Sequence, residues 1–298
     1  MTSKYAKQFD VEGVKFTTRD GVELIHIENQ FAKATITTYG ATVLSFIPIG
    51  QRDVLWVSDT AVYDGTKPVR GGVPICWPWF GAANQPGLPA HGFVRNMVWQ
   101  VEKVGKLENG ETRISLVCKS NQETLKVWPH EFELKLCVQV NSSLTLTLTT
   151  VNLGDEPVEI TEALHTYFAV ANPIGLPIKG LENSTHLDKL IENAPAEVQK
   201  EVVVLNPAKD SVYLNQAGEI SIVDSDNSRE IIIEKRNSQS SVVWNPGPEI
   251  VKGFADIDDQ AWLEFACVES GNVLDNVITV PAHSEHLLSV KYSVKTTL

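Results

Sequence analysis

Residues 143–149 read Ser-Leu-Thr-Leu-Thr-Leu-Thr, a strict alternation that sets Leu144, Leu146 and Leu148 on one side of an extended chain. A half-buried β-strand satisfies a period of two; a helix would scatter the same leucines around its axis. Runs of this kind recur at 22–28, 31–38, 42–49, 97–104, 111–119, 131–140, 157–168, 219–224, 229–236, 241–245, 261–268 and 284–294. They are rich in Val, Ile, Thr and aromatic residues, and turn pairs such as Asn109-Gly110 separate several of them. Helical spacing is confined to short pieces near 122–127 and 249–254. Parallel sheets need helical crossovers, which this chain lacks. The pattern therefore predicts an all-β fold, a large antiparallel β-sandwich. No linker, fixed-period repeat or composition break divides the 298 residues, so one domain over 1–298 is expected. The stretches 58–95 and 170–200 show no strand pattern; long connections of that sort in a compact domain tend to carry function.

Charge narrows the partners. The chain has 37 Asp and Glu against 25 Lys and Arg, a formal net charge of -12. That balance excludes general binding to nucleic acid or to an anionic membrane surface. No apolar run approaches the ~18 residues of a membrane span, and the first ten residues hold no apolar signal segment. Cys76, Cys118, Cys137 and Cys267 are scattered without a C-x-x-C pair and read as buried thiols in a reducing compartment. A cytoplasmic monomer is the expectation.

The acids are unevenly placed. From Gly65 to Gln100 there is no Asp or Glu, yet Lys67, Arg70 and Arg95 fall within that stretch. It contains Arg70-Gly71-Gly72-Val73-Pro74-Ile75-Cys76-Trp77-Pro78-Trp79-Phe80-Gly81, then His91-Gly92-Phe93-Val94-Arg95-Asn96. Two arginine forks suit an oxyanion, and the flat faces of Trp77, Trp79 and Phe80 suit a sugar ring. The same aromatics could equally plug one end of the sandwich. His165 ends a strand-like run, where a histidine is either a hydrogen-bonded core residue or a proton donor working near neutral pH. Counting alternate positions, Leu263, Phe265 and Cys267 share a face with Glu269, while Glu264 points the other way. A carboxylate on an apolar face needs a partner or a proton task, unless it lies beyond the strand end in solvent. Asp188 is one acid in the 170–200 connection. The sequence holds no P-loop, dinucleotide fingerprint, metal-ligand spacing or serine-nucleophile elbow, so no cofactor and no metal is expected.

Taken together, Arg70-Gly71-Gly72-Val73-Pro74, His91-Gly92-Phe93-Val94-Arg95-Asn96, Leu164-His165-Thr166-Tyr167-Phe168, Asp188-Lys189, Val243-Trp244-Asn245-Pro246 and Cys267-Val268-Glu269-Ser270-Gly271 resemble one family. It is the glucose-6-phosphate 1-epimerase (hexose-6-phosphate mutarotase) family of the aldose 1-epimerase, galactose-mutarotase-like superfamily. The resemblance runs from about residue 20 to 295. It implies a galactose-mutarotase-type sandwich, His165 as general acid and Glu269 as general base. It also implies that His91 and Asp188 hold sugar hydroxyls, that Arg70 and Arg95 hold a 6-phosphate, and that the substrate is a hexose 6-phosphate. Trp77, Trp79 and Trp244 receive no role. Anomer exchange needs one proton taken from the C1 hydroxyl and one given to the ring oxygen, so Glu269 ionised and His165 protonated at rest, each favouring the other's charge, is the expected state. Two other readings compete: a non-catalytic sugar-phosphate-binding module on the same fold, and a glycoside hydrolase using Glu269 and Asp188.

Overall fold

A computed structural model describes residues 3–83 and 85–297, and its strands pair antiparallel throughout the two large sheets. The alternating leucines lie in the strand Leu144–Asn152, at the middle of a nine-stranded sheet. Leu148 faces Leu136 on one side and Leu288 on the other, and Leu146 lies between Val138 and Val290. All six are buried in the main core. Burial of each leucine removes enough apolar surface to stabilise the fold by about 1.5–3 kcal/mol. The rest of this sheet runs Val203–Leu205, Leu176–Lys179, Ile220–Asp224, Arg229–Arg236, Glu285–Thr296, then Leu144–Asn152, Phe132–Val140, Thr112–Lys119 and Gln100–Lys106.

Packed against it is an eight-stranded sheet in the order Glu197–Val198, Thr185–Asp188, Lys209–Leu214, Ser240–Asn245, Phe265–Asn272, Glu162–Leu164 and Ile75–Cys76, with Tyr167–Ala169 also pairing Phe265–Asn272. Tyr213, Val243, Ala266 and Val268 of this sheet join the leucines in one core. A four-stranded meander, Val14–Arg19, Val22–Glu28, Ala32–Thr37 and Val43–Pro48, completes the architecture with a two-stranded ribbon of Val158–Ile160 and Ile278–Val280. The expected all-β antiparallel sandwich is what forms. Among the described residues no helix is long and apolar enough to cross a membrane.

Three local expectations change. The 157–168 run is not one strand but three short ones, broken around Thr161 and at His165–Thr166. The 261–268 run opens with a 3-10 turn at Ala261–Leu263, and its strand is Phe265–Asn272, so Glu269 lies mid-strand and not beyond an end. The 170–200 connection holds the strands Leu176–Lys179, Thr185–Asp188 and Glu197–Val198. Thr185–Asp188 is half-buried at every position, which leaves no apolar–polar alternation to read. By contrast 58–95 is largely irregular; among its described residues stand the two-residue strand Ile75–Cys76 and the start of a one-turn helix at Val94–Asn96.

Candidate active site

The eight-stranded sheet has one face on the core and one on a cleft of about 700 Å³. Period-two geometry decides which side chains enter that cleft. In Phe265–Asn272, Ala266 and Val268 go to the core, which sends Glu269 to the cleft. In Lys209–Leu214, Tyr213 goes to the core and Asp210 and Val212 to the cleft; in Ser240–Asn245, Val243 goes in and Val242 and Trp244 out. Arg70, His91 and Arg95 reach the same cleft from the long irregular segment, and His165 from the break between two short strands. Five of the six expected site residues are thus brought together.

Asp188 is not. It pairs across with Ser211, and cross-strand partners share a face. Leu187 beside it packs with Val212 and Val242 on the cleft side, so parity puts Asp188 on the opposite face, where its Oδ1 accepts the Leu190 N–H at 2.9 Å. The carboxylate that lines the cleft from this part of the sheet is Asp210, with Lys189 beside it. Sequence reasoning missed Asp210 because Lys209–Leu214 is buried on both faces over its second half and shows no alternation.

The loop residues are held by close backbone packing. Arg70 precedes Gly71, whose φ is 112° and where a Cβ would lie 2.4 Å from the Trp56 carbonyl oxygen. The Arg70 guanidinium donates from Nε to Asp256 Oδ1 at 3.2 Å and from Nη1 to the Tyr167 hydroxyl at 3.2 Å. It also sits 5.0 Å over the Phe254 ring. Lys67 Nζ shares the same Asp256 carboxylate at 3.4 Å. Arg95 Nη2 donates to the Ala90 carbonyl at 2.9 Å, while its Nε is buried with no partner among the described residues. A buried donor without an acceptor is costly, and an anion between these arginines would satisfy it.

His91 has a φ of 62°, rare for a residue with a side chain. Its backbone N–H donates to the Gly81 carbonyl at 2.7 Å, and its Nδ1 accepts the Gly81 N–H at 3.3 Å. Burial, Arg95 and Arg70 push its pKa down to about 4. The ring is therefore neutral at pH 7, and with Nδ1 accepting, its proton sits on Nε2. His91 is a fixed hydrogen-bond donor.

His165 Nε2 lies 3.4 Å from Glu269 Oε1. Both side chains are buried, and His165 Nδ1 and Glu269 Oε2 have no partner among the described residues. The imidazole stacks on Tyr167 with centroids 4.9 Å apart and planes 11° apart, and meets the edges of His91 and Trp244. The expectation that each partner keeps the other charged is reversed here. Burial pushes His165 well below its ordinary pKa, with the fixed charges of Arg95 and Arg70 adding to the effect. Burial likewise pushes Glu269 well above the usual carboxylate range; Asp210 reinforces this and Arg95 opposes it. Desolvation outweighs the mutual attraction, so the pair favours its neutral form, sharing one proton.

The aromatic loop divides. Trp77 is fully buried against Phe93, Trp128 and Phe132, with its Nε1 donating to Thr150 Oγ1 at 3.0 Å, so it plugs the sandwich and offers no face to a sugar. Trp79 donates to the Pro89 carbonyl and lines a separate small cleft. Phe80, Tyr167, Trp244 and Phe254 are the phenyl, phenol and indole rings that line the site itself.

Comparison with known proteins gives the family of the chain. The aldose 1-epimerase family profile matches residues 23–293. A protein of Salmonella typhimurium described as "Putative glucose-6-phosphate 1-epimerase" is 33% identical over 251 residues, 84% of this chain and 83% of that protein. One of Escherichia coli with the same description is 34% identical over 252 residues, again 84% and 83%. The crystal structure of a "putative mutarotase" from Salmonella typhimurium superposes with a TM-score of 0.88 at 29% identity, covering 96% of this chain and 95% of that one. A galactose mutarotase-like protein from Clostridium acetobutylicum, at 15% identity and a TM-score of 0.71 over 95% and 98% of the two chains, shares the fold. Profile, relatives and cleft converge: the chain belongs to the aldose 1-epimerase family and is a sugar epimerase of the mutarotase kind.

Proposed function

We propose that the chain interconverts the α and β anomers of hexose 6-phosphates, glucose 6-phosphate foremost. The observation that carries this reading is the placement of Arg70 and Arg95 in one cleft with the His165–Glu269 pair. A neutral hexose offers two arginines, one with a buried unpartnered Nε, only hydroxyl and ring oxygens, which are weaker acceptors for a guanidinium than a phosphate dianion. A phosphate at C6 accepts charge-assisted hydrogen bonds from both and holds the ring by its remote end. The descriptions of the Salmonella and Escherichia relatives support the same substrate.

Glu269 takes the proton of the C1 hydroxyl while His165 gives one to the ring oxygen, and the C1–O5 bond opens to an aldehyde. Rotation about C1–C2 turns the other carbonyl face to O5. The ring closes as both protons return. Each positioned transfer contributes roughly 10²–10⁴-fold. At the open-chain midpoint the pair is a carboxylic acid beside a neutral imidazole, the form that burial favours in this cleft. His91 Nε2–H donates to a sugar oxygen and Asp210 accepts from sugar hydroxyls; Asp188, on the other face, would act there only through the backbone it shapes.

Saturation-transfer NMR on equilibrated glucose 6-phosphate tests the reading. Exchange between the anomeric protons should exceed the buffer rate at catalytic enzyme concentrations, with kcat/KM well above that for glucose. No acceleration would leave a sugar-phosphate-binding module without turnover. Equal acceleration of both sugars would leave a mutarotase without a phosphate site.

A further inference from the structure

Arg70 is a fixed charge. Asp256, Tyr167 and the Phe254 ring hold its guanidinium on three sides, so it cannot swing away from the cleft when no anion is near. The side chain bonded to its Nη1 is Tyr167, and the ring of Tyr167 lies flat on the imidazole of His165. Tyr167 is itself 2% exposed and enclosed by Trp56, Phe265 and Trp244, which keeps water out from between the arginine and the histidine. In such a setting the field of a cation is weakly screened. Arg95 adds a second cation to the same cleft.

We infer that the substrate's 6-phosphate is an activator of the acid–base pair as well as an anchor: seated between Arg70 and Arg95, it cancels the two positive fields that oppose a charge on His165, and so raises the fraction of His165 that carries the proton to be delivered. This rests on the hexose-6-phosphate reading and goes beyond it, because an anchor alone would act only on binding.

The other groups around His165 leave the two arginines as the cations that an anion can cancel. His91, edge-on at 5.9 Å, is kept neutral by burial and by the same arginines. The thiols of Cys76 and Cys267 are pushed up by burial and carry no charge, and burial does the same to the Tyr167 phenol. Asp256, bonded to Arg70 and Lys67, is the acid at the arginine end; Asp210, with Lys189 beside it, lines the cleft from the sheet and acts on Glu269. Arg95 also favours the ionised form of Glu269, so an anion there acts on both members of the pair in opposite senses, whereas Arg70 reaches the imidazole directly through the Tyr167 ring stacked on it. An anion on both arginines therefore favours imidazolium beside carboxylate over imidazole beside carboxylic acid. That is the proton distribution from which ring opening starts. Each unit by which the imidazole's pKa rises multiplies its protonated fraction tenfold at a working pH above that pKa.

The test splits the substrate into two pieces. D-Xylose is the glucopyranose ring without C6, and the phosphite dianion supplies the missing charge. Anomer exchange of xylose is followed by NMR with the unmodified enzyme over a range of phosphite concentrations, subtracting exchange catalysed by phosphite without enzyme. Saturable activation of at least about tenfold is expected. The high-pH limb of the xylose profile, where His165 loses its proton, should move to higher pH with phosphite present. Phosphite that competes with glucose 6-phosphate yet leaves xylose turnover and its pH profile unchanged would overturn the inference and keep the phosphate site. Phosphite that does neither, together with equal kcat/KM for glucose and glucose 6-phosphate, would overturn the hexose-6-phosphate reading itself.

Discussion

Glu269 is buried mid-strand, and burial holds its carboxyl protonated to higher pH than an exposed glutamate. A pKa raised in the folded state contributes stability below the ordinary carboxylate range, and that stability is lost as pH climbs through the raised value. Glu269→Gln removes the loss. It should melt at higher temperature than the parent at pH 8, by roughly 2–4 °C for each ~1 kcal/mol recovered, and with little difference at pH 4. Anomer exchange should fall by about 10²–10⁴-fold in the same variant. Calorimetry at the two pH values and NMR exchange together check this, and a variant that is both less stable and active would remove Glu269 from the mechanism. His165 has the opposite sign. Its lowered pKa contributes stability present above about 6.5 and lost as pH falls, so His165→Asn should flatten the acid limb of a stability–pH curve. Five of the expected site residues were readable because motif and residue type agree at those positions. Asp188 differs because a single step along a strand reverses the face, and its neighbours Lys189 and Asp210 line the cleft instead.

At the scale of elements, the strand Leu144–Asn152 was legible because one face is core and the other is not. Lys209–Leu214 and Thr185–Asp188 were not, since burial on both faces in one and half-burial at every position in the other erase the alternation. The irregular segment that carries His91 depends on backbone contacts that no periodicity announces. Gly92 has a φ of 71°, and a Cβ there would lie 1.8 Å from the Trp77 carbonyl oxygen. Gly92→Ala must displace either the Trp77 backbone or His91. It should cost at least about 1 kcal/mol of stability, and kcat/KM should fall by about 10²-fold, as a displacement near 1 Å does elsewhere in catalysis. Thermal melts and NMR exchange on the variant test both effects; a fully active Gly92→Ala enzyme would show that the position of His91 is not set by this turn.

Across the whole molecule, a net charge of -12 coexists with a cleft that carries two arginines. The two facts concern different distances. At physiological salt the screening length is about 8 Å, so distant surface acids are muted while Arg70 and Arg95 act on a bound anion at contact. Raising salt from 0.05 to 0.5 M should therefore raise KM for glucose 6-phosphate several-fold and leave KM for glucose unchanged. A salt response shared by both sugars would mean that the arginines do not meet the phosphate.

His165 and Glu269 stand more than a hundred residues apart in the chain, yet Tyr167 and Cys267, each two positions away, are direct strand partners. The pair comes into being only when those strands close against each other, and neither segment has any local means of assembling it. Turnover is thus a reporter of sheet closure. During refolding, activity should return no earlier than the long-range pairing of Tyr167–Ala169 with Phe265–Asn272, however early the individual hairpins form.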